Sequence, residues 1–519
     1  MSEANRTLRN TLYSSVALYT EFSLGLVTSI LIARHLGPDQ YGIYSGIVWM
    51  VALGIAMTNS GTASAVIRFT AQLHGSGERG QVRPVIGRLR AIQLRYLLVV
   101  ATLAGLALWI AGDRLLPGLD HRLLFAFLVL AVALRSSYMF NIGIAKGMQG
   151  FRVNAVVAAI ASPLNLLLVL LVALSGRGLA WYLGAFLLSG AVFWALSLQR
   201  TRPLERAFQP DPALDPELLA RLRRQVWYST LIVSIGFLTA SEMEVVFLNA
   251  HALPEAAGHF KVAHQLATGA ATLVPGVFAG LMLPMMASAL GRGTQEAGQR
   301  FTASTTYLAL LGLPLAAFGA VFGGSIIAAL YGPQYQAAGP VFSLLLACTC
   351  LLSCTAAASS LLISADRQQQ VFVVLAACAV LKFVLDAVAI RHWQLWGAAG
   401  AFATVAVANA LATLLLAARV ARASPDWNTI ARVALAALLA AAVAAPALRL
   451  QQPVAAVLLG GLLFALAYAA CTLLLGCWRA SDIAQMQVIQ ARVTRGHARP
   501  VDLALSWAHA RALRNGRVC

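Results

Sequence analysis

The feature that most constrains this sequence is a series of fourteen apolar stretches, each about as long as a membrane-crossing helix. About 20 consecutive apolar residues allow one helix to cross the hydrocarbon core of a bilayer. The predicted spans are residues 12–33, 43–69, 96–111, 123–145, 153–174, 181–198, 227–250, 260–290, 305–330, 337–364, 371–390, 396–418, 430–448 and 454–477. We therefore predict an all-α integral membrane protein with about fourteen transmembrane helices.

The composition excludes a soluble protein. Apolar residues make up 60% of the 519 positions and charged residues only 11%, whereas charged residues form about 25% of an ordinary soluble domain. One core cannot hide that much apolar surface, so a soluble enzyme is excluded. We predict that the protein is not an enzyme.

The excess of basic residues has two explanations. Lys and Arg total 38 against 19 acidic residues, which is typical either of nucleic-acid binding or of the cytoplasmic loops of a membrane protein. With the N-terminus inside, the cytoplasmic side carries 28 basic residues and the external side 7, where Arg432 and Lys261, in the first turn of their spans, are counted with the adjoining loops. We therefore predict cytoplasmic N- and C-termini, a basic tail lying on membrane lipids, and no nucleic-acid partner.

The sequence indicates neither a metal centre nor a bound cofactor. The seven cysteines show no metal-binding spacing, and there is no P-loop or dinucleotide fingerprint. The only small ion that we consider is a coupling H⁺ or Na⁺. The Arg-rich, Lys-poor composition is typical of a GC-rich bacterial genome, so we expect the bacterial inner membrane.

A short motif recurs at an equivalent place in two halves of the chain. Pro38, Asp39, Gly42 and Tyr44 follow the first span, and a proline, an acid, a glycine and an aromatic residue recur 216 positions later, at residues 254–260. Six-helix repeats related by an axis along the membrane normal occur in several transporter folds. We predict an N-terminal lobe (1–198), a cytoplasmic loop (199–225), a C-terminal lobe (226–422), two additional spans (423–477) and a basic tail (478–519).

The same motif connects the chain to a known family. Residues 36–45, Leu-Gly-Pro-Asp-Gln-Tyr-Gly-Ile-Tyr-Ser, resemble a turn of the polysaccharide (oligosaccharidyl-lipid) flippases, and residues 65–69 and 330–338 resemble the same family. This family shares a superfamily with the multidrug and toxic compound extrusion antiporters. The resemblance implies two lobes around a cavity of alternating access, and a polyprenyl-pyrophosphate-linked oligosaccharide as the cargo. It also suggests enzymes of polysaccharide polymerisation and assembly as partners.

Three basic residues inside the predicted spans are candidates for binding that cargo. Arg68, Arg135 and Lys382 lie at different depths, and a charged residue inside a membrane usually faces a cavity or a partner. A guanidinium binds phosphate oxygens bidentately and stays charged. Two alternatives remain open: Arg68 extends to the headgroups, or Lys382 pairs with Asp386 one turn away.

Four acidic residues inside the spans are candidates for coupling an ion or lining a cavity. They are Glu21, Glu242, Glu244 and Asp386. Glu242 and Glu244 are two residues apart and point to different faces of a helix, so at most one of them is expected to line the cavity. The other is expected to pair with a nearby basic group, for which Lys261 and His264 are the candidates.

Three competing functions remain. A multidrug antiporter of the same superfamily typically has twelve spans. The branch that flips the lipid-linked precursor of peptidoglycan carries arginine in its first helix, where this chain has Glu21. A membrane polymerase or ligase needs a large outer loop, and here the outer loops are short, with Asp113 and Asp120 together in one of them.

Overall fold

Helices are the only regular structure in the part of the chain that the structure, a computed structural model, describes. The described residues are 3–76, 79–115, 120–208, 216–240, 242–275 and 278–478, together with 483, 484, 487, 506 and 510. The predicted basic tail therefore lies almost entirely outside them, as do residues 209–215 of the predicted loop.

Fifteen α-helices account for the described part of the fold. They are α1 (Glu3–Ser76), α2 (Val82–Leu115), α3 (His121–Gly147), α4 (Phe151–Leu174), α5 (Leu179–Arg206), α6 (Pro216–Ala240), α7 (Met243–Ala250), α8 (Pro254–Leu273), α9 (Ala279–Gly291), α10 (Thr294–Tyr331), α11 (Ala338–Cys354), α12 (Ala356–Ser364), α13 (Gln368–Ala421), α14 (Trp427–Ala444) and α15 (Pro453–Leu474). Short 3₁₀ helices cover Arg79–Gln81, Pro333–Tyr335 and Ala445–Arg449.

The helices confirm a multi-pass membrane protein. Among the described residues, ten helices are long and apolar enough to cross a membrane, or eleven if α6 and α7 form one bent span. Two of the ten, α1 and α13, contain a break, at Gly37 and at Gln394, and so carry two predicted spans each. Each predicted span lies mainly on one of these helices, with α11 and α12 taken together, except the spans at 227–250 and 260–290, which include residues outside the described part of the chain.

The break in α1 depends on glycine. Gly37 has φ 74° and ψ 170° and precedes Pro38, and Gly332, at the end of α10, has φ 94° and ψ 170° and precedes Pro333. Only glycine adopts this region of backbone space readily. The motif that the sequence suggested as a turn is therefore a break in the helix, and a new helical segment begins directly after it. Proline is favoured at the first position of a helix, because an N–H at that position would have no partner within the helix. Pro254 opens α8 in the same way.

The chain divides into two compact units. The first comprises residues 1–261 and 383–398, and the second comprises residues 262–382 and 399–519. The lobe boundaries predicted from the repeat are a different division and stay a prediction. Part of the predicted loop at 199–225 is helical, because α5 continues to Arg206 and α6 begins at Pro216.

The first unit is built around α1. One of its cores joins α1, α2, α3 and α6 through Phe69, Val85, Phe140 and Leu222, all buried. Buried polar side chains also tie these helices together. They form the hydrogen bonds Thr58–Ser136 (2.8 Å) and Gln93–Asn59 (3.1 Å). Such pairs satisfy polar groups that would otherwise be costly in a lipid environment.

The second unit is built around α10. One core joins α10 to α9, α12 and α13 and contains Met286, Phe301 and Leu361. A second core joins α10 to α14 and α15 through Phe322 and Phe464. The last two predicted spans are thus packed on the helix of the ninth span.

Candidate functional site

Arg135 of α3 is held by one face of α5. The carbon at the centre of its guanidinium lies 5.0 Å from the ring centroid of Phe186 and 4.9 Å from that of Phe193. Its Nη2 donates a long hydrogen bond of 3.5 Å to Ser189 Oγ. Residues 186, 189 and 193 share a helix face because they are spaced by three and four positions. The predicted arginine is therefore oriented by aromatic and hydroxyl contacts within the first unit.

Glu21 of α1 belongs to the same site. Tyr138, almost one turn after Arg135 on α3, donates a hydrogen bond of 3.0 Å to Glu21 Oε1. The Glu21 carboxylate and the Arg135 guanidinium also interact electrostatically. The sequence shows no opposite charge near Arg135, and folding supplies one from a position more than a hundred residues away.

A second charged pair lies in the same unit. Lys261 Nζ of α8 donates to Glu242 Oε1 at 2.9 Å, with about a fifth of each side chain exposed (19% and 20%). Glu242 stands at the break between α6 and α7. This pair confirms the expectation that one of the two glutamates binds a nearby basic group, and the partner is Lys261.

Two stacked tyrosines of α1 interact electrostatically with the two charged pairs, one tyrosine with each pair. Tyr41 and Tyr44 of α1 stack with their ring centroids 6.1 Å apart. Tyr41 interacts electrostatically with Lys261 and Glu242, and its hydroxyl shares a 2.6 Å hydrogen bond with Ser29. Tyr44 interacts electrostatically with Arg135. Sequence reasoning missed these tyrosines as site residues, although both belong to the motif at residues 36–45.

The other predicted acids are buried carboxylates of the first unit. Glu244 of α7 and Asp386 of α13 both have 0% exposure. Glu244 is more buried than Glu242, whose side chain is 20% exposed, and the expectation that the two point to different faces stays a prediction. Burial of this kind fits either a structural charge network or a site for a coupling ion.

Arg68 is remote from Arg135. It lies about 36 Å further along α1 than Tyr44, at a helical rise of about 1.5 Å per residue. Its side chain is exposed, donates a hydrogen bond to Gln225 of α6, and lies 5.8 Å from the ring of Phe69. The structure therefore does not bring these two predicted arginines together.

Lys382 is a buried cation of the second unit. Its exposure is 1%, and its Nζ lies 5.9 Å from the ring centroid of Phe402. His264, itself buried, contacts the same ring edge-on at 5.2 Å. A cation over an aromatic face gains electrostatic attraction where water is excluded.

An apolar cavity of the first unit is of another kind. It has a volume of about 310 Å³, lies in the first unit, and is lined by side chains such as Trp49, Met57, Leu97 and Val132. It has no charged lining residue, so it is suited to hydrocarbon and not to sugar or phosphate. Among the described residues, no three His, Cys, Asp or Glu side chains are placed to hold a metal ion.

Comparison with known proteins gives one family match. The model of the family described as "polysaccharide biosynthesis protein" matches residues 7–290, which is more than half of the 519 residues. No curated protein sequence matches the chain.

Solved structures share the fold at low sequence identity. Lipid II flippase MurJ in an inward closed conformation has a TM-score of 0.68 and 12% identity, over 89% of this chain and 99% of that one. An inward-facing multidrug resistance MATE family transporter of the MOP superfamily has a TM-score of 0.59 and 15% identity, over 82% and 98%. A MOP superfamily transporter from Pyrococcus furiosus has 0.51 and 14%, over 82% and 96%. At these identities the similarity shows the fold.

Proposed function

The chain belongs to the polysaccharide biosynthesis protein family of the MOP superfamily, and from that premise we propose that it flips a polyprenyl-pyrophosphate-linked oligosaccharide across a membrane. The cargo serves the synthesis of a cell-surface polysaccharide such as O-antigen, capsule or exopolysaccharide. Movement is by alternating access and needs no covalent chemistry from the protein.

The observation that carries this proposal is the placement of Arg135. An arginine inside a membrane helix costs about 2.5–3.5 kcal/mol on insertion scales, so a chain keeps it there for a partner or a ligand. The ring centroids of Phe186 and Phe193 lie 5.0 and 4.9 Å from the guanidinium carbon, and the hydrogen-bond donors of the group lie at its edges. A planar donor edge matches two oxygens of a pyrophosphate.

The tyrosines next to Arg135 suit the remainder of such a cargo. Tyr44 and Tyr138 both interact electrostatically with Arg135, and Tyr138 also donates to Glu21. An aromatic ring with a hydroxyl offers both an apolar face and a polar edge. In this proposal Arg135 receives the pyrophosphate, while Arg68 and Lys382 provide separate anion contacts. The acidic residues that balance these charges or carry a coupling H⁺ or Na⁺ in this proposal are Glu21, Glu242, Glu244 and Asp386.

The proposed setting is the bacterial inner membrane with both termini in the cytoplasm. The 28 to 7 division of basic residues supports this orientation. Flipping then carries the cargo from the cytoplasmic to the outer leaflet, where polymerase and assembly enzymes are the proposed partners.

The second candidate is a cation-coupled multidrug antiporter. The fold shared with a MATE family transporter supports it, and so does the presence of an acid beside each of Arg135 and Lys261. An antiporter predicts export of free small molecules. It predicts no change in lipid-linked sugar when the protein is lost.

The experiment that tests the proposal measures lipid-linked oligosaccharide in cells lacking the chain. We expect a complete unit to accumulate and to stay inaccessible to a sugar probe applied at the outer leaflet. An accessible unit would instead place the block at polymerisation, and the absence of accumulation would favour the antiporter. Complementation with Arg135→Ala is expected to fail, whereas Arg152→Ala, which changes an exposed arginine, serves as the matched control.

A further inference from the structure

Two rings of the same helix lie against the Arg135 guanidinium. Phe186 and Phe193 stand seven positions apart on α5, which is close to two helical turns, and their ring centroids are 5.0 and 4.9 Å from the guanidinium carbon. Ser189 lies between them on the same face and accepts from Nη2. One face of α5 therefore contacts the group at three positions.

The three guanidinium nitrogens have different surroundings. Nε is buried without a hydrogen-bond partner among the described residues. It faces Gly190, where an added Cβ would lie 3.8 Å away. Nη2 makes only the 3.5 Å contact with Ser189, which is at the outer limit of a hydrogen bond. Nη1 takes part in none of these contacts, so the edge formed by Nη1 and Nη2 is the one that a ligand can engage.

We propose that Phe186 and Phe193 are positioning residues, which hold Arg135 so that its Nη1–Nη2 edge meets two oxygens of a pyrophosphate. This inference rests on the proposed function, because it assumes that Arg135 binds the cargo. The rings do not touch the ligand. They act through the arginine, by restricting a side chain that otherwise loses considerable rotamer freedom on binding.

The expected effect is the cost of immobilising a freed arginine. Removing one ring lets the Arg135 side chain move in the unbound protein, so binding is expected to weaken by about 2- to 10-fold. Phe186→Leu is the cleaner variant, since Phe193 also contacts the Tyr138 ring at 4.9 Å. Phe186→Tyr keeps the aromatic face and is expected to bind as the unaltered protein does.

The test uses the full chain in lipid nanodiscs with geranylgeranyl pyrophosphate as the probe. The dissociation constant is measured for the unaltered protein, Phe186→Leu, Phe186→Tyr, Arg135→Ala and the double variant Phe186→Leu with Arg135→Ala. Phe125→Leu is the matched control, because Phe125 packs in the same apolar cluster as Phe186 but on the helix that carries Arg135. Thermal unfolding of each variant is recorded in parallel.

The inference predicts weaker binding for Phe186→Leu, unchanged binding for Phe186→Tyr and Phe125→Leu, and no further loss when Phe186→Leu is added to Arg135→Ala. Unchanged binding in Phe186→Leu, with loss in Arg135→Ala, would overturn the positioning role and leave the proposed function standing. A further loss in the double variant would also overturn it, because the ring would then act independently of the arginine. Unchanged binding in Arg135→Ala would reject the proposed cargo site itself.

Discussion

Gly258 packs directly on the backbone of Pro38, so closely that a Cβ at position 258 would overlap the Pro38 carbonyl oxygen. The contact is reciprocal, because a Cβ at Gly42 would overlap the carbonyl oxygen of Pro254. The two prolines are 216 positions apart, and so are the two glycines. Each copy of the repeated motif therefore contacts the other in the same way, as expected at a local two-fold axis. Asn249 adds a hydrogen bond of 3.1 Å to the Gly42 carbonyl.

Adding a methyl group at this contact is predicted to destabilise the protein. Gly42→Ala and Gly258→Ala force two backbones apart, and overpacking of this kind costs about 1–3 kcal/mol. We expect both variants to unfold at lower temperature in detergent. Gly25→Ala is the control, because an added Cβ there meets nothing within 4 Å, and it should be neutral or stabilising. Equal melting temperatures in all three variants would contradict the close contact.

Tyr468 of α15 is predicted to stabilise α10 at its proline. Pro314 has no N–H, so it cannot bond the carbonyl of Leu310 four residues earlier. Tyr468 Oη donates to that carbonyl oxygen at 2.7 Å. Tyr468→Phe leaves a buried acceptor without this donor and should cost about 1–3 kcal/mol, which thermal unfolding can measure.

A double-mutant cycle isolates this role. Pro314→Ala restores a backbone N–H to α10, which can bond Leu310 in place of the tyrosine. Tyr468→Phe is then expected to cost little in the Pro314→Ala background. A loss of the same size in both backgrounds would mean that Tyr468 acts through packing, for example through its stack with the ring of Phe464.

The pair Lys261–Glu242 is predicted to show the cost of an uncompensated charge. With only about a fifth of each side chain exposed (19% and 20%), removing one charge leaves the other partly buried, which is more damaging than removing both. We expect Lys261→Met and Glu242→Gln to lower the melting temperature, and the double variant to recover part of the loss. Additive losses in the double variant would mean that the two side chains act separately.

Arg135→Lys is predicted to impair transport although it keeps the charge. An ammonium group lacks the planar donor edge that the guanidinium offers beside Phe186 and Phe193. We expect the variant to insert normally and to flip the lipid-linked oligosaccharide more slowly than the unaltered protein, as measured by outer-leaflet accessibility of the sugar. Full activity in Arg135→Lys would show that charge alone is sufficient at this position.

Several features of the fold could be predicted because their signals are local. Hydropathy over about 20 residues depends on neighbours in sequence, so each span could be assigned without knowing what it packs against. The break at Gly37 followed by Pro38 likewise depends on two adjacent residues. The extent of the helices was harder to predict, since α5 continues beyond the apolar stretch to Arg206, where Arg90 of α2 binds Glu205 at 2.9 Å.

The candidate site shows what sequence could not decide. Its residues could be selected one by one, because a charge inside an apolar stretch is conspicuous. Their partners could not, since Tyr138 and Glu21 are 117 positions apart and Arg68 proved to be remote from Arg135. Tyr41 and Tyr44 were missed as site residues because the candidates were selected by charge, and tyrosine in a membrane helix is uncharged.

The sequence by itself determined that this chain is helical, crosses a membrane many times, and belongs to a recognisable family of polysaccharide biosynthesis proteins. The first two properties follow from the free energy of placing single segments in lipid, which is nearly a sum over residues, and the family resemblance rests on short motifs of adjacent residues such as residues 36–45. Only the tertiary structure decided that α5 contacts Arg135, that Glu242 takes Lys261 as its partner, and that Tyr468 of α15 donates to the Leu310 carbonyl of α10. Those outcomes depend on which helix faces meet, and hydrogen bonds and ion pairs form between groups that only packing brings within about 3 Å.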